Sequence, residues 1–553
     1  MSNRPFTLRR MRAPWSGSLT LRRPPLGTSL VLLVPVVFLG VLVVWPLGAV
    51  LTRSLTGVGP ERVIEILSRR STRSIAWFTL WQAAASSAHT LMVGLPVAHA
   101  LARYRFRGQT VLRAIAVVPF VLPTLVVAAA VDAAFAALGL DLKRSVAAIL
   151  FAHVFFNVAI VIRVVGARWA SLDRRPEEAA AVLGASPWTA FRSATLPRLL
   201  PVIGSAGLLT FLFSFTSFGI ILILGGPTRA TIETEVYRNA IFRQEFDVAA
   251  VLALMQIAVV ACTSLLSTRL QRTFSRQERG RQRSYGQPLA SGRQRWHVAS
   301  VVALVAVVIG GPLAALVAAS LKTGRSGVTF INYRNLFVEV NLLPVSAAEA
   351  LATSVRCGLV AAAVAVVVGV VTAFAITRSG RAGRFIEVAA LVPLGVSAVT
   401  LGFGYLLAFT VLDLRRSSWI VPVAHAVIGL PFVLAAVVPA LRAIVDRYRE
   451  AASVLGATPA TVVRLIDLPL IRRAAITGGG FAFAVSLGEF GATSFLSRSD
   501  GAFTAPLAIF RLLSQPGDLL RGRALALSVV LGVVVAVIAG LADWRRSGEA
   551  VSL

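Results

Sequence analysis

Long apolar runs dominate the sequence. Twelve of them, each about the 20 residues a helix needs to cross a hydrocarbon core, can be drawn through the 553 residues. In the first half they fall at 28–52, 76–102, 114–139, 145–167, 202–224 and 248–267. In the second half they fall at 298–321, 350–376, 387–412, 418–441, 473–496 and 522–542. Several contain Pro or Gly, which membrane helices tolerate. Only 14% of the chain is charged, where a soluble protein carries roughly a quarter. The expected fold is all-α and membrane-integral.

The charge that remains is lopsided, at +31, and almost all arginine; the only lysines are Lys143 and Lys322. A basic balance can mean nucleic acid. Here the arginines crowd into short loops between apolar runs, where the positive-inside rule expects them. That rule divides the chain into a cytoplasmic basic tail (1–27), a first membrane domain (28–267), a polar cytoplasmic linker (268–296), a second membrane domain (297–542) and a cytoplasmic tail (543–553). The loop 53–75 opposes the rule: it holds Arg53, Arg62, Arg69, Arg70 and Arg73, offset in part by Glu61 and Glu65, and lands outside. Six arginines precede residue 27 and no small-residue cleavage site follows the first run, so that run reads as a retained anchor. Cys262 and Cys357 give neither a disulfide framework nor metal-ligand spacing.

The two halves repeat. An offset of 272 residues relates His153 to His425, Gly184 to Gly456 and Phe218-Gly219 to Phe490-Gly491, and an offset of 275 relates Gly94–Arg103 to Gly369–Arg378. Each half has an even number of spans, so the copies run parallel, related by a pseudo-twofold axis along the membrane normal.

Each half also carries a polar island, EEAAAVLGASPWTAFRSATLP (177–197) and REAASVLGATPATVVRLIDLP (449–469). Each reads as two short helices. Pro176 can open the first, with Glu177 and Glu178 in a first turn favoured by the helix dipole. Gly184 stops it in a left-handed conformation, and Ser186 caps a second helix with Pro187 at its first position. Glu450, Gly456, Thr458 and Pro459 repeat the grammar, and Leu196-Pro197 and Leu468-Pro469 end the second helices. Phe191 and Ala194, or Val463 and Ile466, form a small apolar stripe beside Arg192 or Arg464. A doubled, capped helix pair with such a ridge suits a two-fold partner; the bland alternative is an interfacial hairpin that only pins two spans.

The islands resemble the EAA loop of ABC-importer permeases: Glu-Ala-Ala, three residues, Gly, nine residues, Ile, one residue, Leu-Pro. Glu450, Ala451, Ala452, Gly456, Ile466, Leu468 and Pro469 match throughout; Glu178, Ala179, Ala180, Gly184, Leu196 and Pro197 match, with Ala194 in place of Ile. In that family the loop seats in a groove of the ATPase subunit. The resemblance implies two parallel six-helix repeats of the type I, methionine-importer-like permease fold, two ATPase copies on the cytoplasmic side and an extracytoplasmic binding protein docking on loops around 225–247 and 497–520. The chain itself is expected to bind no cofactor: a Walker A loop needs Gly-Lys-Ser/Thr, and neither lysine follows a Gly. ATP would be used by a separate subunit, and transport would proceed by alternating access.

Within that family the stretch 215–256, with its Leu-Gly-Gly-Pro turn and Thr-Ile-Glu run, and SLGEFGATSFL (486–496) resemble thiamine permeases, with ferric-iron importers the alternative. Candidate pathway residues are Asp132, His153, Asn157, Phe218, His425, Ser486, Glu489 and Phe490. Ionisable groups at membrane depth tend to face a cavity, so Asp132 and Glu489 suit a thiazolium cation that Phe218 and Phe490 would stack against. The alternative is that Glu489, the two histidines and Asn157 hydrogen-bond neighbouring helices and that Asp132 lies near the outer interface. No catalytic residue and no metal site are expected. An ion-coupled secondary transporter would explain spans and symmetry but not the islands; a membrane enzyme would need a clustered polar site that the sequence lacks.

Overall fold

A computed structural model describes residues 26–275, 287–288, 291–322, 327–410, 417–496 and 503–547. Residues 1–25 of the basic tail, residues 276–286 and 289–290 of the linker, the C-terminal end and residues 497–502 of the expected docking loop lie outside the described residues.

The first half contains α1 (Leu26–Leu39), α2 (Trp45–Thr52), α3 (Pro60–Ser68), α4 (Arg70–Arg103), α5 (Gln109–Val121), α6 (Thr124–Ala137), α7 (Val146–Ser171), α8 (Arg175–Val182), α9 (Pro187–Ala190), α10 (Leu196–Phe215), α11 (Ile232–Arg238) and α12 (Phe246–Ser275). The second contains α13 (Gly292–Val305), α14 (Gly311–Ser320), α15 (Ile331–Arg334), α16 (Ala347–Arg378), α17 (Gly380–Gly395), α18 (Ala398–Ala408), α19 (Ile420–Ala443), α20 (Asp446–Val454), α21 (Pro459–Val462), α22 (Leu468–Gly488), α23 (Thr493–Leu496), α24 (Ala505–Leu513) and α25 (Asp518–Ser547). Among the described residues the only extended pairing is Tyr104–Arg105 beside Gln287–Pro288, which ties the linker to the loop after α4.

Nine helical stretches among the described residues are long and apolar enough to cross a bilayer, or eleven if two bent pairs count as spans. The remaining expected span, the second (76–102), is occupied by the 34-residue α4, which is more polar. Its Thr79, Gln82, Ser86, Ser87 and Thr90 are buried, and three of them bond across to α7 and α10: Ser86 to His153, Ser87 to the Gly207 carbonyl, Gln82 to the Ser214 carbonyl. A polar face that is satisfied by other helices costs little in lipid.

Two expected spans are not straight. α5 and α6 meet at 111°, α17 and α18 at 103°. Pro123 disfavours helix at Leu122, whose ψ is 143°. Ser397 caps α18 by accepting from Val399 and Thr400 N–H at 3.1 and 3.2 Å. Spans five and eleven also end earlier than drawn, because α10 stops at Phe215 and α22 at Gly488.

The halves pack alike, α4 with α7 and α10, and α16 with α19 and α22. Their first spans are exchanged: α1 lies on α16 and α2 on α18, while α14 lies on α6. The Tyr405 hydroxyl on α18 donates to the Leu42 carbonyl at 2.8 Å, in a π-helical turn (Gly40–Val44) that precedes Pro46. Proline cannot donate to the preceding turn and crowds its carbonyls, so a wider turn accommodates it.

Glycine sets the closest helix approach at matched positions. A Cβ on Gly94 would stand 2.7 Å from Val161 Cβ, and one on Gly369 2.7 Å from Val433 Cγ1. Gly369→Val is therefore expected to destabilise the protein by about 1–3 kcal/mol through overpacking, lowering the thermal midpoint in detergent. Gly540→Val, with open space around it, is the control; equal midpoints for the two variants would refute the close-packing assignment.

Candidate functional site

The two islands form one face. The linker pairs beside Tyr104, which follows α4 and adjoins the first island, so α13 starts at the island end. The second half then repeats the order of the first and returns its own island to that end.

The local grammar is as expected. Pro176 lies in the first turn of α8 with Glu177 and Glu178. Gly184 has φ +84° and Gly456 φ +83°. The Ala185 N–H bonds the Ala180 carbonyl and the Gly184 N–H bonds that of Ala181; Ala457 to Ala452 and Gly456 to Ser453 repeat the pattern, all at 3.0 Å. These are Schellman stops. Ser186 and Thr458 cap the second helices by accepting from Thr189 and Thr461 N–H.

Three expectations change. Because α20 begins at Asp446, Glu450 sits in mid-helix and Asp446 is the first-turn acid. Leu196-Pro197 and Leu468-Pro469 do not end a helix. Pro187–Phe215 and Pro459–Gly488 each run on as one rod, with π turns at Phe191–Thr195 and Val463–Asp467 absorbing the prolines. The stripe of Phe191, Ala194, Val463 and Ile466 is half-buried rather than presented outward; Phe191 stacks on Trp169 at 5.9 Å.

The outward apolar groups are instead Val182 and Leu183, 87% and 88% exposed, and their repeat mates Val454 and Leu455, both 87% exposed. They sit just before the glycine stops, where the chain reverses. Glu178, Ala179, Glu450, Ala451, Pro197, Leu468 and Pro469 are also exposed, and Ala180, Ala452 and Leu196 half-buried. The sequence signal was present, since two large aliphatics precede each Gly, but helical periodicity alone did not say which face was free.

In the bundle centre, Phe218 and Phe490 stack face to face, centroids 5.2 Å apart and planes at 17°. Repeat mates that touch each other lie on the repeat axis, so this pair marks it. The rings hold each other and leave no slot for a cation between them. Tyr237 and Phe510 pack against the pair.

His425 is buried, its Nδ1 2.7 Å from Ser486 Oγ and its Nε2 2.8 Å from Thr493 Oγ1 and 3.2 Å from Glu489. Glu489 accepts from Ala492 and Thr493 N–H and from the Thr493 hydroxyl at 2.7–3.1 Å. It caps the short α23 and holds a histidine rather than facing open space. His153 pairs with Ser86 at 2.8 Å and Asn157 donates to Ser214 at 3.2 Å; His153 Nε2 and Asn157 Oδ1 have no partner among the described residues. Asp132 is at the other end of the bundle, paired with Arg521 at 2.8 Å in a cleft of about 340 Å³ that Asp141 and Lys143 also line. The sequence reading missed Glu233, 1% exposed, which accepts from Gln256 and, across the halves, from Ser397.

Comparison with known proteins agrees with this arrangement. The family model described as "Binding-protein-dependent transport system inner membrane component" matches twice, at residues 90–280 and 365–545. The thiamine transport system permease protein ThiP of Brucella abortus (strain 2308) is 30% identical, covering 85% of this chain and 87% of its own length. ThiP of Escherichia coli (strain K12) is 27% identical over 84% and 88%. The sulfate transport system permease protein CysT of Escherichia coli (strain K12) is 31% identical, covering 45% of this chain and 92% of its own. With the family model matched in both halves and both islands on one face, the chain belongs to the inner-membrane permeases of binding-protein-dependent ABC importers, as a fused pair of permease repeats.

Proposed function

We propose that this permease imports thiamine, delivered by an extracytoplasmic binding protein, by ATP-driven alternating access. The observation that carries the coupling half of this reading is the pair of matched, protruding Val-Leu ridges at one end of the bundle. Two equal ridges suit two ATPase subunits, which would supply the ATP hydrolysis for which this chain has no Walker A loop. The thiamine assignment is supported by the relatives called thiamine permeases, which align over most of both chains.

The island end would be cytoplasmic, with both termini on that side. Arg103, Arg175, Arg192, Arg378, Arg447 and Arg464 cluster there, as the positive-inside rule favours. The opposing loop is partly neutralised: Arg53 pairs with Asp247, and Arg62 and Arg69 both bond Glu65. Arg69 and Arg62, in that order, hold the Glu65 carboxyl below the usual carboxylate range. The binding protein would dock at this opposite end, beside the 225–247 loop. The Phe218–Phe490 stack would part for the substrate, and Glu489, His425 and Ser486 would then be freed to line its path.

Co-purification of an ATPase and uptake of labelled thiamine into proteoliposomes with the loaded binding protein test this reading. Uptake of ferric ion in place of thiamine would assign the substrate to the alternative class. Leu183→Asp and Leu455→Asp should fold normally, because both sites are exposed and such changes cost at most about 0.5 kcal/mol. Each should weaken ATPase association; full retention in both would remove the ridges from the contact.

Gly456→Val meets no steric obstacle but must hold φ +83°, which costs a β-branched residue roughly 1–2 kcal/mol. Membrane levels should hold while ATPase association and uptake fall. Normal uptake in this variant would mean that the island is not the coupling element.

A further inference from the structure

Each island is fastened to the body of its half by a small charged cluster, and the two clusters place their bridging carboxylate on different elements. In the first half, Glu177 on α8 accepts from Arg103, the last residue of α4, and from Thr195 in the π turn. Arg174 bonds the Arg103 carbonyl at 3.0 Å. In the second half, the residue matching Glu177 is Arg449, the one matching Thr195 is Asp467, and the one matching Arg174 is Asp446. Asp467 accepts from Arg378, the last residue of α16, and from Arg449 Nε at 2.9 Å, while Arg449 also reaches Asp446 at 2.9 Å.

The carboxylate has thus moved from the first island helix to the π turn, and in the second half an arginine stands where the first half has that carboxylate. What is kept is the topology: one carboxylate bridging three elements, with the helix-end arginine common to both. Asp467 is fully buried, Thr195 3% exposed and Arg103 9% exposed. A buried charge that loses its partner is strongly unfavourable, whereas a rebuilt pair is not. Two different solutions to one geometry point to the geometry as the property required.

We propose that Glu177 and Asp467 are positioning residues that latch the islands to the ends of α4 and α16, so that each island and its long helix move as one body. This rests on the coupling role proposed above. The latch is what would carry an ATPase-driven displacement of an island into α4, which holds His153 through Ser86, and into α16.

The test is a transplant in the full chain reconstituted with its ATPase. Glu177→Arg leaves three arginines at the first latch with no acid; Thr195→Asp sets a second, buried carboxylate directly against Glu177. Each alone should keep membrane level and ATPase association but raise the ATP hydrolysed per thiamine imported roughly tenfold. The triple change Arg174→Asp, Glu177→Arg, Thr195→Asp rebuilds the second half's latch in the first and should return the ratio to within about twofold of wild type.

Hydrogen exchange of residues 175–195 in the purified chain gives a reading that needs no substrate. It should rise in the single variants and fall back in the triple. Unchanged coupling and exchange in both singles, or a triple no better than the worse single, would overturn the latch. A wild-type chain that retains no ATPase would count against the coupling role instead, with the exchange experiment still deciding the latch.

Discussion

The bilayer offers no water to a buried polar group, so every polar group at depth has to find its partner in the protein. That single demand organises this fold. α4 is the clearest case: its Ser, Thr and Gln face makes it less apolar than its neighbours and simultaneously obliges it to lie between α7 and α10. The same demand closes the centre. Glu489 is held by two backbone N–H groups, a threonine and a histidine, and Glu233 by groups from both halves. In this conformation the carboxylates act as internal staples, and the axis is shut by two phenyl rings.

The asymmetry between the halves is informative because the backbone is so nearly repeated. At the histidine positions the second half has Glu489 and Thr493 beside His425, while the matching positions in the first half are Ser217 and Ile221. Among the described residues His153 consequently keeps only Ser86 as a side-chain partner, and Ser217 Oγ has none. The two islands at one end are thus closely matched, while the core between the halves distributes its polar groups unequally.

Span positions, the parallel repeat and the capped islands were legible in the sequence because each depends on local chemistry: apolar length, a fixed offset, and Gly, Ser or Thr at helix ends. The bends after Leu122 and Val396 were not, although Pro123 stands in plain view, since a proline in a membrane helix can kink it, break it or be absorbed. Pro197 and Pro469 were absorbed, by π turns. The choice between Phe191 and Leu183 as the exposed ridge also lay beyond local pattern, because Trp169, 22 residues before Phe191, decides it by stacking. The Phe218–Phe490 pair was flagged as two walls of a slot. Only the relative placement of the halves shows that they meet.

The exchange of first helices has a consequence for how the chain is made. Leu39, Leu42 and Val43 are buried in a cluster whose other members, among them Ile376, Tyr405 and Phe409, belong to the second half. Tyr405 follows Leu42 by 363 residues, roughly 20–70 s of synthesis at 5–20 residues per second. Throughout that interval the Leu39, Leu42 and Val43 face of the anchor waits for its partners, and only the far end of the span, at Arg53 and Ser54, meets its own half on α12. Joining both halves in one polypeptide confines the waiting helix to the neighbourhood of its eventual partner, and makes the first segment inserted among the last to be locked in place.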